Sequence, residues 1–490
     1  MKKFIIVIFI LFFFQNILYA EDDVIWDYNN DEFIKELLQG NSSESEAAKQ
    51  RILDEEISKN LGIDLVYTNL SECLKIALDN NYAIKNRYSV QKQHYWEYKN
   101  ANTQFLPNVS YQYTLQYIDG KFLVGGVLID KFDELPMQNI WLAEWKGTQQ
   151  GKVFFLNAQK KHTLNASKST LEFTRDEIIL KTSLAYYDLL SQKMRVEVYK
   201  SNLIDRIYQY KLVKARFDAG LENKYYVTRA ETEVATAKQA YITGFNNLRL
   251  LQAKLANLMG IEVLYAIYPS ESSIQLHQLV EDKYSIDSLY DMALLTRDDL
   301  RAARLRIEAL KAERSSNYMD FAPDTYAAYQ RAIVGTPKSG FGPGTVISLF
   351  VTVPLGKNLG LGTATTIKAF NARIEAEQFS LTELTRSVKE SILGSYYNSK
   401  SALEKIESAK KAVKSSEESV KISLMRAKVG QGVYTDVIQA QTLKIAAQEQ
   451  LIQNIIEYNK AQTQLLFDTG IISVSGVLKG YNASFNKMNP

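Results

Sequence analysis

The feature that most limits how this chain can fold is that it contains the same unit twice. Sliding the 490-residue sequence along itself by 210 positions lays Asp218–Glu231 on Lys428–Gln441, KVGQGVYTDVIQAQ. Gly220 falls on Gly430, Val227 on Val437 and Ala230 on Ala440. The register runs without a gap from Tyr186-Tyr187 over Tyr396-Tyr397 to Gly260-Ile261 over Gly470-Ile471. Arg216/Arg426, Thr232/Thr442, Ala237/Ala447 and Leu255/Leu465 keep step within it. Upstream the offset is 216: Ala77-Leu78 matches Ala293-Leu294, Phe105 matches Phe321, Pro107 matches Pro323 and Tyr113 matches Tyr329. The second copy is therefore 6 residues shorter between Pro323 and Tyr396. A gap-free run of this length is a duplication, and two copies make an internal pseudo-symmetry rather than a solenoid.

Each copy contains very long helices. From Phe154 to Phe217 there is no proline, and helical spacing persists for about 60 residues, worth ~90 Å at 1.5 Å per residue. Glycines then break the pattern, at Gly220 in one copy and at Gly430 and Gly432 in the other, where Thr435-Asp436 restarts it. Heptads follow: Val227, Val234, Tyr241, Leu248 and Leu255 fall seven apart, as do Ala230, Ala237, Gly244, Leu251 and Leu258. Small residues on one seam allow close approach, and a repeat of seven implies supercoiling. The second copy departs from the heptads at Lys444, Asn454 and Asp468, which are expected to face water in a lumen. All eight prolines fall in loops, strand edges or the tail, so the helices run uninterrupted.

Between the helices the period changes to two. In VSYQYTLQYI, Val109, Tyr111, Tyr113, Leu115 and Tyr117 point one way, and Ser110, Gln112, Thr114 and Gln116 the other. A strand with an apolar face and a polar face suits a membrane β-barrel or, as the alternative, a soluble sandwich. Asp119 to Met137 is expected as a long loop, and 139–146, with Trp141 and Trp145, as the returning strand. The second copy repeats this: a helix from Ile286 to Met319, a stop at Pro323, a strand over 325–334 and the loop GTPKSGFGPG. Its second strand, over 345–353, puts Ile347, Leu349, Val351 and Val353 on one face.

Residues 1–20 pair two lysines with a short apolar run and Leu18-Tyr19-Ala20, the pattern of a secretory signal with cleavage expected before Glu21. The unbroken apolar run is about a dozen residues against the ~20 that span a bilayer. Residues 21–64, acidic and polar, have no match in the second copy and form an N-terminal extension. The first repeat then covers 65–261, with strands about 109–118 and 139–146 and long helices about 154–217 and 224–260. A linker, 262–283, leads to the second repeat, 284–471, with long helices about 363–427 and 435–467; a tail, 472–490, follows. Without residues 1–20 the chain carries 56 basic and 55 acidic residues, a balance that does not attract nucleic acid. Cys73 is the only cysteine, so there is no internal disulfide and no lipid-bearing cysteine after the signal. His94, His162 and His277 stand apart from any ligand spacing, and no GxSxG or HExxH occurs, so no metal, cofactor or enzymatic activity is expected. Thirty tyrosines suit interfaces and membrane boundaries.

The duplicated helix–strand–strand–long helix–helix unit, with FLPNVSYQY, LFVTVPLGKNLGLGT and VGQGVYTDVIQAQ, resembles the TolC-type outer-membrane efflux proteins over roughly Leu65 to Ile471. The resemblance implies an α+β membrane protein in the outer membrane of a Gram-negative-type bacterium, with a large periplasmic part. It implies a homotrimer whose chains each give four strands to a shared twelve-strand barrel in outer-membrane lipid, and whose long helices form a periplasmic tunnel. The implied function is a passive exit duct of a tripartite efflux pump or type I secretion system, served by a periplasmic adaptor and an inner-membrane transporter. The family's periplasmic gate maps to Asp436, with Gln439 and the first-copy Tyr226 at related positions. Ala427 and Gly432 stand where the family's tyrosine and arginine lock would be, so that lock is not expected here. The adaptor-docking turns map to Gly220, Leu221 and Lys224, and to Gly430, Gln431 and Tyr434. A trimeric coiled-coil scaffold or adhesin would account for the heptads but not for the alternating strands.

Overall fold

A computed structural model of the chain describes residues 65–479 apart from 116–117, 125–126, 135–136, 147–148, 263–265, 282, 337–339, 355–359, 430 and 433. The expected signal, the N-terminal extension and the end of the tail lie outside the described residues. The chain divides into two compact units. One holds Tyr199–Thr243, and the other holds Val66–Val198 and the chain from Gly244 onwards.

In the larger unit, β1 (Leu65–Thr68) leads into α1 (Leu70–Asn80) and α2 (Tyr82–Thr103). Apolar spacing predicts one helix from Leu70 to Gln104, but the structure holds two. The break is at Asn81, whose backbone is non-helical (φ −59°, ψ 127°). Its side-chain oxygen accepts from the Ala83 N–H at 2.8 Å, and its amide donates to the Leu258 carbonyl at 2.7 Å. The second copy also splits the helix expected over Ile286–Met319, into α5 (Ile286–Thr296) and α6 (Asp298–Tyr318) around an extended Arg297. There the Arg297 guanidinium donates to the Asp468 carbonyl at 3.0 Å. Asn81 and Arg297 are equivalent in the duplication, as are Leu258 and Asp468, so one latch is built twice from unlike side chains. A helix end has carbonyls to satisfy, and any donor of suitable reach serves.

The strands form an antiparallel sheet in the order β2 (Asn108–Leu115), β5 (Met137–Lys146), β7 (Asp324–Thr336), β8 (Gly340–Thr352). The stretch Asp119–Met137, expected as a loop, instead contains a hairpin of β3 (Ile118–Val124) and β4 (Val127–Glu134). Residues directly opposite in the register share a face. Tyr111 lies opposite Trp141, Trp141 opposite Arg331 and Arg331 opposite Thr345. One face therefore carries Val109, Tyr111, Tyr113, Trp141, Trp145, Tyr329, Ile347, Leu349 and Val351. The other carries Ser110, Gln112, Glu144, Tyr326, Gln330 and Ser348 interleaved with Ile140, Leu142, Val334, Val346 and Phe350, and on it the Tyr326 hydroxyl donates to Glu144 at 2.6 Å. Ile347 is 81% exposed and Leu349 73%, large apolar side chains with nothing from this chain over them. β2 and β8 each pair on one side only, so the described strands do not close on themselves.

The long helices are α3 (Gln149–Asp218) with α4 (Lys224–Met259), and α7 (Leu361–Lys428) with α8 (Tyr434–Asp468). In the smaller unit, Leu203, Ile207, Tyr210 and Val213 of α3 are buried, as are the α4 heptad residues Ala230, Val234, Ala237 and Tyr241. Arg206 reaches Glu233 there at 3.7 Å. In the larger unit, Gln192 donates to the Gly244 carbonyl at 2.8 Å and Leu248 and Leu255 are buried. The second pair packs Ala402 and Ile406 of α7 against Tyr458 of α8. Burying each large apolar side chain is worth ~1.5–3 kcal/mol, so the seams outweigh helix propensity in holding these elements.

Two of the polar breaks in the second-copy heptads do not face water. Asn454 and Asp468 are each 2% exposed; only Lys444 of the three is half-buried. Both lie against neighbouring elements, Asn454 on the Lys405 carbonyl of α7 and Asp468 beside Ser395 and Arg297. Other polar residues of α8 serve the linker, whose strand β6 (Ala266–Pro269) pairs with β1 but leaves later backbone groups without a ladder. Side chains of α8 satisfy them. Asn459 accepts from the His277 N–H at 2.9 Å and donates to the Gln275 carbonyl at 2.8 Å. Gln462 accepts from the Leu279 and Val280 N–H groups at 3.0 and 2.8 Å. Asn454 donates to the Lys405 carbonyl of α7 at 3.3 Å.

Asp468 accepts from Gln464 through Oδ1 at 2.9 Å, while Oδ2 has no hydrogen-bond partner among the described residues. Burial pushes its carboxyl up, against the Gln464 amide, the nearby Ser395 hydroxyl and Arg297. A carboxyl raised in the folded state contributes most below its ordinary value, and that contribution is lost as pH rises through the raised one. Asp468→Asn is accordingly expected to melt higher than the parent at pH 7, by about 1 °C per kcal/mol of relieved burial in a chain of this length. The gap should close as the pH falls towards 4. A gap independent of pH in thermal melts would show that Asp468 is not the titrating group.

Candidate functional site

The two inter-helix turns are closed by the same backbone device. In the first, the Leu221 N–H donates to the Arg216 carbonyl at 2.9 Å and Gly220 takes φ 72°. That left-handed conformation is the reason for glycine, since a Cβ at Gly220 would meet nothing within 4 Å. Asn223 then starts α4, accepting from the Tyr225 N–H at 3.1 Å. Leu221 is 71% exposed, and Lys224, the first residue of α4, is exposed. In the second turn the Gln431 N–H donates to the Arg426 carbonyl at 3.0 Å. Gln431 is exposed and Tyr434 opens α8, while Gly430 lies outside the described residues. Leu221 and Gln431 are thus exposed side chains at the ends of the two long helical pairs.

Asp436 is the third residue of α8 and Gln439 follows three later on the same face; both are exposed. Tyr226 is half-buried near the start of α4, in the other unit. Asp436 lines an open groove of about 710 Å³ together with Lys411, Lys414, Glu418, Arg426 and Gly432. Sequence reasoning missed these cationic neighbours. Positions 411, 415, 418, 422 and 426 step by three and four and so mark one stripe of α7, but the spacing does not say that this stripe meets Asp436. Gly432 packs tightly, because a Cβ there would lie 3.1 Å from the Ala427 nitrogen and Arg426 backbone. No group of residues among those described is arranged to hold a metal ion.

The sequence profile of a family described as outer membrane efflux protein matches residues 153–261, the long helices of the first copy, and 289–470, nearly all of the second, together more than half of the chain. The chain belongs to the outer membrane efflux protein family. No protein of curated function matches its sequence. Among solved structures, this efflux protein is similar to the outer membrane protein VceC from Vibrio cholerae, at 18% identity and a TM-score of 0.70, over 82% of this chain and 96% of that one. It is also similar to the CmeC outer membrane channel of Campylobacter jejuni, at 15% identity and 0.72, over 85% and 89%. The MtrE outer membrane channel of Neisseria gonorrhoeae, in its open state, matches at 15% identity and 0.67, over 82% and 89%. At such identities the structures speak for the fold, and the family speaks for the role. This efflux protein is a passive outer-membrane exit duct of a tripartite system, not an enzyme, and the scaffold alternative is not favoured.

Proposed function

We propose that three copies of the chain close one twelve-strand barrel in the outer membrane, continued by a periplasmic helical duct that docks on an adaptor through its inter-helix turns. The observation that carries this reading is the two-faced sheet with open edges. Its aromatic and aliphatic face suits lipid, and the other face, where Ser, Gln and Glu side chains are gathered, suits a water-filled lumen. Unpaired backbone groups along β2 and β8 would cost several kcal/mol each in hydrocarbon, so four strands alone are not viable there. Pairing the β8 edge of one copy with the β2 edge of the next satisfies both.

Within that trimer, one Asp436 per chain becomes three around an axis, and Gln439 and Tyr226 are the further gate candidates. Like charges at a narrow mouth favour cations and bind polyvalent ones as a plug, although Arg426 and Lys411 in the same groove oppose this. The bland alternative is that Asp436 only complements the partial charge at the start of α8, worth ~0.3–1 kcal/mol. Planar-bilayer conductance of the purified protein tests both levels. A detergent-stable trimer should conduct, and Asp436→Asn should weaken cation preference and polyvalent-cation block with little change in melting. A conducting monomer would overturn the shared barrel. Unchanged selectivity and block, with Asp436→Ala merely lowering stability, would leave Asp436 a helix-terminus residue.

A further inference from the structure

Every charge on a lipid-facing surface needs a reason, and the apolar face of the sheet carries one among its described residues. Arg331 is exposed near the middle of β7, a strand flanked by β5 and β8 of its own chain rather than by a sheet edge. The register puts Trp141 opposite it on one side and Thr345 on the other. Among the described residues no acidic side chain shares that face of the four-stranded sheet. Tyr111, one strand beyond Trp141, stacks on it with ring centroids 4.9 Å apart. The row Tyr111, Trp141, Arg331, Thr345 is amphipathic, with aliphatic rows on its helix side containing Ile347, Leu349 and Val351.

We propose that this row binds the phosphate of an anionic lipid in the outer leaflet, with its acyl chains lying along Ile347 and Leu349; this rests on the membrane-barrel reading above. The donor set fits. A guanidinium offers a planar fork that matches two phosphate oxygens, and the hydroxyl of Thr345 and the indole N–H of Trp141 add neutral donors from the adjacent strands. The depth fits as well. β7 and β8 meet the helices at the Asp324 and Thr352 ends, and six residues separate Thr325 from Arg331. That is ~20 Å along a strand, or ~15 Å of height at a tilt near 40°, in the distal half of a ~25 Å apolar band. An arginine there reaches towards the head groups by snorkelling, whereas left unpaired in the band it is destabilising. Aromatic residues mark the same boundary in membrane barrels.

The test is native mass spectrometry of the full chain in an uncharged maltoside, titrated with phosphatidic acid, with diacylglycerol of the same tails, and with inorganic phosphate. The parent should hold phosphatidic acid about tenfold more tightly than Arg331→Gln does, with Arg331→Lys between them. Diacylglycerol should bind both weakly and equally, and inorganic phosphate should not compete. Equal retention of phosphatidic acid by Arg331→Gln would overturn the proposal. So would full competition by inorganic phosphate, which would make the site one for the free ion. Arg331→Gln should melt like the parent in lipid-free detergent; a loss there as large as in lipid would make Arg331 a strut against Trp141. Conductance separates this from the barrel reading. If Arg331→Gln conducts normally but binds lipid like the parent, only the lipid site falls; if neither protein inserts, the barrel reading falls with it.

Discussion

Gly260→Ala and Gly470→Ala are expected each to destabilise the fold by about 3–5 kcal/mol, whereas Gly220→Ala costs only about 1–2. All three glycines are left-handed, with φ of 65°, 72° and 72°, so each substitution strains the backbone by the same ~1–2 kcal/mol. The difference lies in what surrounds them. A Cβ at Gly220 meets nothing, but at Gly260 it would lie 2.6 Å from the Asn80 carbonyl oxygen, and at Gly470 2.8 Å from the Thr296 hydroxyl oxygen and 2.9 Å from the Arg297 nitrogen. Relief would push apart the latch that joins the start of each copy to its end. In the second copy that latch includes the Arg297–Asp468 bond and the 2.6 Å bond from the Thr296 hydroxyl to the Thr469 carbonyl. One hydrogen bond to a charged group and one neutral one add roughly 2–4 kcal/mol. Urea unfolding of the three variants checks the ranking. Equal losses at all three positions would mean that left-handed strain alone decides, and that the latches contribute nothing.

The latches also mark where sequence reading stopped. The duplication, long helices, seams and strand alternation were legible because each leaves a period: 210, 7 or 2. A break made by Asn81 or Arg297 leaves none. Neither is glycine or proline, and the side chains that do the same work differ in the two copies, so the repeat comparison passes over them. The hairpin β3–β4 was hidden for another reason. IDGKFLV and VLIDKFDE mix charges into both faces, which reads as loop when no membrane or core imposes an alternation. Asn454 and Asp468 misled because polarity on a helix suggests solvent, whereas Asn454 bonds to the Lys405 carbonyl of α7 and Asp468 lies beside Ser395 and Arg297. At the candidate gate, Asp436 was legible from its place after the turn. The cations sharing its groove come from the far side of that turn and needed the packing of α7 on α8 to find.

Export is expected to be abolished by Gln431→Trp and by Leu221→Trp, with assembly and membrane insertion unharmed. Both positions are exposed, and neither side chain is used by the turn that carries it. What closes those turns is backbone: the Leu221 N–H on the Arg216 carbonyl and the Gln431 N–H on the Arg426 carbonyl. A tryptophan keeps these backbone bonds, so stability should stay within about the ±0.5 kcal/mol typical of surface changes. An indole does alter what a partner meets. If an adaptor hairpin packs on these turns, a bulky ring at a fully desolvated contact costs more than the interface can absorb, since a few central residues carry most of the binding energy. The glycines themselves would be poor probes, because replacing Gly220 perturbs the turn and the docking surface together. Three measurements are needed on each variant: trimer by native gel, conductance in a planar bilayer, and export in cells. Loss of export with the first two intact assigns the surface to adaptor docking. Loss of conductance as well would place the defect in the duct, and normal export from both variants would move the docking surface away from these turns.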